Sequence, residues 1–97
     1  MKQIYYGNDA TVTFNIPSNS RYLFISTAGA AQDQLMLMLY ATSSGELGKL
    51  EVAKGTGVIN INISVNGKLT IEYAASRNRF YLFMPLSSSS GDITKQS

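Results

Sequence analysis

The sequence has no cysteine, no histidine and no tryptophan. Without cysteine there is no disulfide framework and no thiolate chemistry. Without histidine the chain lacks the commonest metal ligand and the usual general base near neutral pH. Charge is scarce as well: Asp, Glu, Lys and Arg make up 14% of the residues, against about 25% in ordinary soluble domains. The formal net charge is only +2, and the cations are scattered along the chain. Nucleic-acid domains concentrate theirs on one face. No run approaches the roughly 18 apolar residues of a membrane-spanning helix. The start, Met1 to Gly7, lacks the roughly 7–15-residue apolar segment of a secretory signal. These absences predict synthesis in a cytoplasm, no nucleic-acid partner and no membrane insertion.

What is present is apolar and patterned. The chain has 97 residues, of which 44% are hydrophobic. That is one domain, and one that struggles to cover its own apolar surface at this charge content. Burial in an oligomer or larger assembly is therefore expected.

The clearest pattern is Val58 to Tyr73, VININISVNGKLTIEY. It alternates apolar and polar residues on both sides of Asn66-Gly67, a strong hairpin signal. A two-residue loop would pair Ser64 with Leu69 and put the two apolar sets on opposite faces. A three-residue loop over Val65, Asn66 and Gly67 pairs Ile63 with Leu69, Ile61 with Ile71 and Ile59 with Tyr73. It also places Gly67 in the left-handed position, where a missing Cβ removes the steric cost. Both constraints select the same register, since a one-residue slip flips a whole strand. The polar face is then Asn60, Asn62, Ser64, Lys68, Thr70 and Glu72.

Other strands are read the same way. Ile4 to Tyr6 is either a short strand or an arm, and Gly7-Asn8-Asp9 is a turn. Ala10 to Ile16 alternates Val12, Phe14 and Ile16 with polar residues, and Pro17 to Ser20 closes it. Arg21 to Thr27 is apolar on both faces. Ala28 to Gln34 is one helical turn or a loop. Leu35 to Ala41 is an unbroken apolar run that periodicity alone cannot assign; the flanking Gly29 and Gly45 leave room for a strand, not a packed helix. Leu50 to Lys54 is a short strand. Arg79 to Leu86 is the last, with Pro85 at an edge or leaving the sheet. The expected fold is all-β: an antiparallel sandwich, jelly roll or small barrel of seven to eight short strands with no substantial helix. Residues 1–86 form the domain, with 1–9 an arm or edge strand, and 87–97 a polar, serine-rich tail.

Three strands break the inside–outside alternation of a free-standing sandwich. Leu35, Leu37 and Leu39 oppose Met36, Met38 and Tyr40. Phe80, Leu82 and Met84 oppose Tyr81 and Phe83, and Tyr22 and Phe24 oppose Leu23 and Ile25. Each large apolar side chain that is buried contributes roughly 1.5–3 kcal/mol, so an outer face of them calls for a cover. Met36, Met38, Tyr40, Tyr81 and Phe83 are the expected subunit interface, since Tyr and Met favour such surfaces. The alternative is that the amino-terminal arm or the 28–34 segment covers these strands from outside.

Catalytic patterns are not found. The carboxylates Asp9, Asp33, Glu46, Glu51, Glu72 and Asp92 form no sequence-evident acid–base pair. Ser87 to Ser90 have no recognisable His or Lys partner and read as a linker. Lys54 to Gly57 lacks the spacing of a phosphate loop and reads as a turn. Arg77, Arg79, Phe80 and Tyr81 mix cations with aromatics, as single-strand nucleic-acid platforms do, but Phe80 and Tyr81 point to opposite faces. No catalytic, cofactor or metal residue is assigned, and no enzyme is expected.

The rhythm RYLFISTAGAAQDQLMLMLYATSSGELGKL followed by GTGVININISVNGKLTIEYAASRNRFYLFMPL resembles the small β-sandwich domains of tailed-phage tail fibres and virion decoration proteins. The resemblance spans roughly residues 20 to 86. It implies a non-enzymatic structural virion component, a symmetric and usually trimeric homo-oligomer. Its partners would be other virion proteins, and its loops would touch a host surface glycan in attachment. A second reading, from another class, is a carbohydrate-binding sandwich module. The absence of tryptophan, the commonest sugar-stacking residue, counts against that one.

Overall fold

The computed structural model describes residues 1–64, 66–87 and 91–97. Among them are nine strands: β1 (Lys2–Gly7), β2 (Thr11–Asn15), β3 (Ser20–Thr27), β4 (Leu35–Ala41), β5 (Leu47–Lys54), β6 (Val58–Ser64), β7 (Lys68–Tyr73), β8 (Arg79–Pro85) and β9 (Thr94–Lys95). They form a five-stranded sheet, β1-β8-β3-β4-β5, and a four-stranded sheet, β6-β7-β2-β9. Every pairing is antiparallel. The connections β1–β2, β2–β3, β5–β6, β7–β8 and β8–β9 each pass from one sheet to the other, which stitches the two layers into an all-β sandwich. The 28–34 segment contains a single 3₁₀ turn, Ala31–Asp33. Among the described residues no helix is long and apolar enough to cross a membrane.

The core lies between the inward faces of both sheets. The four-stranded sheet contributes Val12, Phe14, Leu69, Ile71 and Tyr73; the five-stranded sheet contributes Tyr22, Phe24, Leu35, Leu37, Leu39, Tyr81 and Phe83. Aromatic rings interlock at its centre. Phe14 meets Tyr81 at 5.0 Å and Phe24 edge-on at 5.3 Å, and Tyr22 meets Phe83 edge-on at 5.5 Å between centroids. Such pairs add about 0.5–1.5 kcal/mol each beyond area burial.

The hairpin follows the expected register at its closed end: Ile63 faces Leu69 and Ile61 faces Ile71. Further along, an irregularity between Val58 and Asn60 places Val58, not Ile59, opposite Tyr73. A bulge of this kind inserts one extra residue and re-aims its neighbours. Val58 is consequently buried, while Ile59 is 55% exposed. Val65, the first residue of the expected loop, lies outside the described residues. Gly67 has φ +72°, accepts a hydrogen bond from the Ile16 N–H at 2.8 Å, and would bring an added Cβ to 3.0 Å from the Ile16 carbonyl oxygen. Gly67→Ala should therefore cost about 1 kcal/mol or more in urea unfolding; an unchanged midpoint would contradict the turn geometry.

Three further expectations are revised. The first is β5, which begins at Leu47, three residues before the expected Leu50. A ninth strand, secondly, takes the count past seven to eight. It lies in the residues expected to be a polar tail: Thr94 and Lys95 pair with Asn15 and Phe14 of β2, and Ile93 is buried. One apolar residue among polar ones suffices to anchor the segment when the edge of β2 offers hydrogen bonds. Residues Ser88 to Ser90 of the expected linker are outside the described residues. The third revision concerns which side of β8 faces inward.

The outer face of the five-stranded sheet as candidate functional site

Residues directly opposite in antiparallel strands project to the same face, so the ladders specify what each sheet shows to solvent. On the outside of the five-stranded sheet, one row runs Leu50, Met38, Leu23, Met84. The next runs Ala53, Met36, Ile25, Leu82, Gln3. A third brings Thr27, Phe80 and Tyr6 together. At the other end Gly48, Tyr40 and Arg21 align. Among these residues Arg21 alone is charged.

The outside of the four-stranded sheet is the opposite. Its rows are Asn60, Glu72, Thr11; Asn62, Thr70, Thr13; and Ser64, Lys68, Asn15, Thr94. Polar side chains here satisfy one another: the Thr13 and Thr70 hydroxyls are 2.9 Å apart, and Lys68 Nζ donates to Asn15 Oδ1 at 2.8 Å. The polar hairpin face read from the sequence is thus half of a sheet surface that is polar along its paired rows, with Ile59 exposed at the bulge.

Of the expected interface residues, Met36, Met38 and Tyr40 stand together on the apolar outer face. Tyr81 and Phe83 do not: each is 1% exposed and belongs to the core. The outward residues of β8 are Phe80, Leu82 and Met84 instead. The physical reason lies one step along the strand. Arg79 shares the parity of Tyr81 and Phe83, and a charged residue ordinarily marks the solvent side. Here Arg79 is buried, because Asp33 pairs with it at 3.2 Å with both side chains at most 1% exposed. Leu23, Ile25 and Leu50 were not assigned to the face; parity across the sheet becomes readable only once β3 is known to lie between β4 and β8.

That buried pair heads a polar cluster at one end of the sandwich. Arg77 Nη1 donates to Asp33 Oδ1 at 3.2 Å, while Arg79 donates to the carbonyls of Asp9, Arg77 and Ala75. The Arg79 guanidinium also lies 3.6 Å from the centroid of the Tyr73 ring, and the Tyr73 and Ser26 hydroxyls are 2.5 Å apart. Burial pushes the phenol pKa values of both Tyr73 and Tyr81 above the ordinary tyrosine value. Tyr5 is raised too, chiefly by donating to the Asp9 carboxylate at 2.8 Å. With Arg79 and Asp33 buried and the Arg79 donors spent on loop carbonyls, the cluster binds its own loops and reads as a structural clamp. A separate open cleft of about 290 Å³ lies between β5 and β6, lined by Glu46, Leu47, Ile63 and Ser64. It brings together one carboxylate, one hydroxyl and two apolar side chains, without a second titratable group.

Neither the β1 segment nor the 28–34 segment covers the apolar face. β1 joins the sheet at its edge, and every large apolar residue on the face is half-buried or exposed. Comparison with protein-family models, curated proteins and solved structures found no significant match. Function therefore has to be argued from this surface.

Proposed function

We propose that the chain is a non-enzymatic assembly module, a structural virion component of fibre, spike or capsid-decoration type, that forms a symmetric homo-oligomer through the outer face of its five-stranded sheet. The observation that carries this is the contrast between the two outer faces: the paired rows of one are polar, and those of the other are mostly apolar, with Gln3, Thr27 and Arg21 at the margins. A monomer gains nothing from exposing such a face, whereas a partner of the same kind covers it. With strands about 4.8 Å apart and about 3.3 Å per residue, the face measures about 500 Å² per copy. Two copies then bury roughly 1,000 Å², the lower bound for a specific contact. The assignment to a virion rests on the rhythm of strands alone, and flanking capsid or tail genes would discriminate it.

The test is sedimentation of the full chain at micromolar concentration. Wild type should sediment as an oligomer, and Met84→Asp should move the population to smaller species by weakening the contact roughly a hundredfold, because an unpaired charge is costly to bury. Met84 is already exposed in the isolated chain, so the substitution should leave folding intact. A wild-type chain that stays monomeric would overturn the reading.

The carbohydrate-binding reading keeps one specific support. Tyr6 and Phe80 are exposed neighbours, with ring centroids 4.4 Å apart and planes inclined by 38°. Glycan-array binding abolished by Phe80→Ala would favour recognition over scaffolding.

A further inference from the structure

The terminal strand β5 pairs with β4 only, among the described residues, and its other edge is open along eight residues. An edge of this length is a template for another strand unless something blocks it. Natural edges are blocked by charges and bulges, and β5 carries both. Lys49, Glu51 and Lys54 lie along it, and the register with β4 shifts at Val52, between the pairs Met36–Ala53 and Leu37–Glu51. The order of the charges, however, is not arbitrary.

Two copies of one strand paired antiparallel about a two-fold axis match residues whose numbers have a constant sum. That sum must be even for side chains to keep to their own faces. Centring the axis on Lys49 sets lysine against lysine. Centring it on Glu51 sets glutamate against glutamate. Centring it on Leu50 sets Lys49 against Glu51 twice, places Leu50 against Leu50, and brings Val52 beside Gly48. In the isolated chain Glu51 holds only loose, partly exposed pairs, to Lys49 at 3.9 Å and Lys54 at 4.0 Å. The charges therefore oppose the neighbouring registers and support one.

We propose that β5 pairs antiparallel with β5 of a second copy of this chain, about a two-fold axis through Leu50. The pairing continues the sheet from five strands to ten. Leu50 lies on the outer side, opposite Met38, so the two apolar faces join into one surface across the seam. Gly48 also suits the seam: the ring of Tyr40 lies where its Cβ would be, at 2.3 Å, leaving the outer side of β5 low and apolar there. The proposal deepens the assembly reading by naming a second copy as partner and two-fold symmetry as its rule, but it uses the strand edge rather than the sheet face.

The experiment is native mass spectrometry of the full chain with Lys49→Glu, Glu51→Lys and an equimolar mixture of the two. Each variant alone sets like charges against each other twice, and its edge-paired dimer should weaken roughly tenfold. The mixture sets two glutamates of one chain against two lysines of the other, and should recover association as one-to-one heterodimers. That recovery also excludes misfolding as the cause of the single-variant loss. Single variants that associate like wild type, or a mixture that fails to form heterodimers, would overturn the proposal. The two interfaces are separable: if only the face reading fails, Met84→Asp leaves a two-fold dimer intact. If only the edge fails, the charge variants keep an oligomer that Met84→Asp dissolves.

Discussion

Replacing Asp33 with alanine should remove about 3–5 kcal/mol of stability, the usual cost of leaving a buried charge without its partner. A domain of this size holds only about 5–15 kcal/mol in total, so the variant should unfold close to ambient temperature. The reason is the position of Arg79. Its guanidinium is fully buried and spends its hydrogen bonds on three backbone carbonyls and the Asp33 carboxylate, while Nε has no acceptor. Removing the carboxylate leaves a cation in the interior with neutral partners only. The 3₁₀ turn that carries Asp33 is itself held between two others. Gly55 N–H donates to the Gln34 carbonyl at 2.7 Å and Gly57 N–H to the Gln32 carbonyl at 2.8 Å, and Ala74 N–H donates to the Gly57 carbonyl at 2.9 Å. A Cβ on Gly55 would come within 2.3 Å of the Gln32 oxygen, so the approach depends on glycine. Losing Asp33 should thus loosen the β5–β6 and β7–β8 turns together. Arg77→Ala is the control. Its side chain is 39% exposed, and its removal should cost about 1 kcal/mol or less. Urea titration of both variants checks the ranking; an Asp33→Ala chain within 1 kcal/mol of wild type would mean that Arg79 finds water or another acceptor.

This cluster also explains where sequence reasoning stopped. Strand existence was legible because alternation and turn chemistry are local: β4 occupies Leu35–Ala41 as the apolar run dictated, and Gly67 takes the positive φ its turn requires. The polar sheet face was legible from Asn60, Asn62, Lys68 and Glu72 for the same reason. The inward side of β8 was not, because it depends on a partner 46 residues away along the chain, Asp33 for Arg79. The preference of Tyr and Met for interfaces places Tyr81 and Phe83 outward, and nothing local shows that Arg79, on the same parity, is drawn inward by Asp33. Ile59 failed differently. Alternation predicts it inward, but the extra residue between Val58 and Asn60 shifts the phase, and nothing local distinguishes VININ with a bulge from VININ without one. The apolar outer face was half legible: its existence followed from the two-faced strands, its membership from neither propensity nor spacing.

The segment after β8 carries the second large effect. Ile93→Ala should cost about 2–5 kcal/mol, the range for truncating a buried aliphatic side chain, although the surrounding sequence is polar. Ile93 is 2% exposed and belongs to the core cluster. Backbone contacts fix its approach: the Tyr22 hydroxyl donates to the Gly91 carbonyl at 2.5 Å, and Gln96 N–H donates to the Thr13 carbonyl at 2.8 Å. Between them Thr94 and Lys95 pair with β2, and the Lys95 ammonium lies 4.6 Å from the centroid of the Tyr5 ring. The segment therefore fills a gap in the core and covers part of the edge of β2 at once. The Lys2–Asp92 ion pair contributes little by comparison, since both side chains are at least half exposed and such pairs are worth about 0–1 kcal/mol. Asp92→Ala should accordingly leave the urea midpoint almost unchanged while Ile93→Ala lowers it markedly. Equal effects would place the anchor in the ion pair, and no effect from either would return residues 91–97 to the status of a tail. If the apolar anchor holds, truncation after Ser87 should cost more than Ile93→Ala, because it also strips the hydrogen bonds from Thr13 to Asn15 and leaves β2 as an open edge.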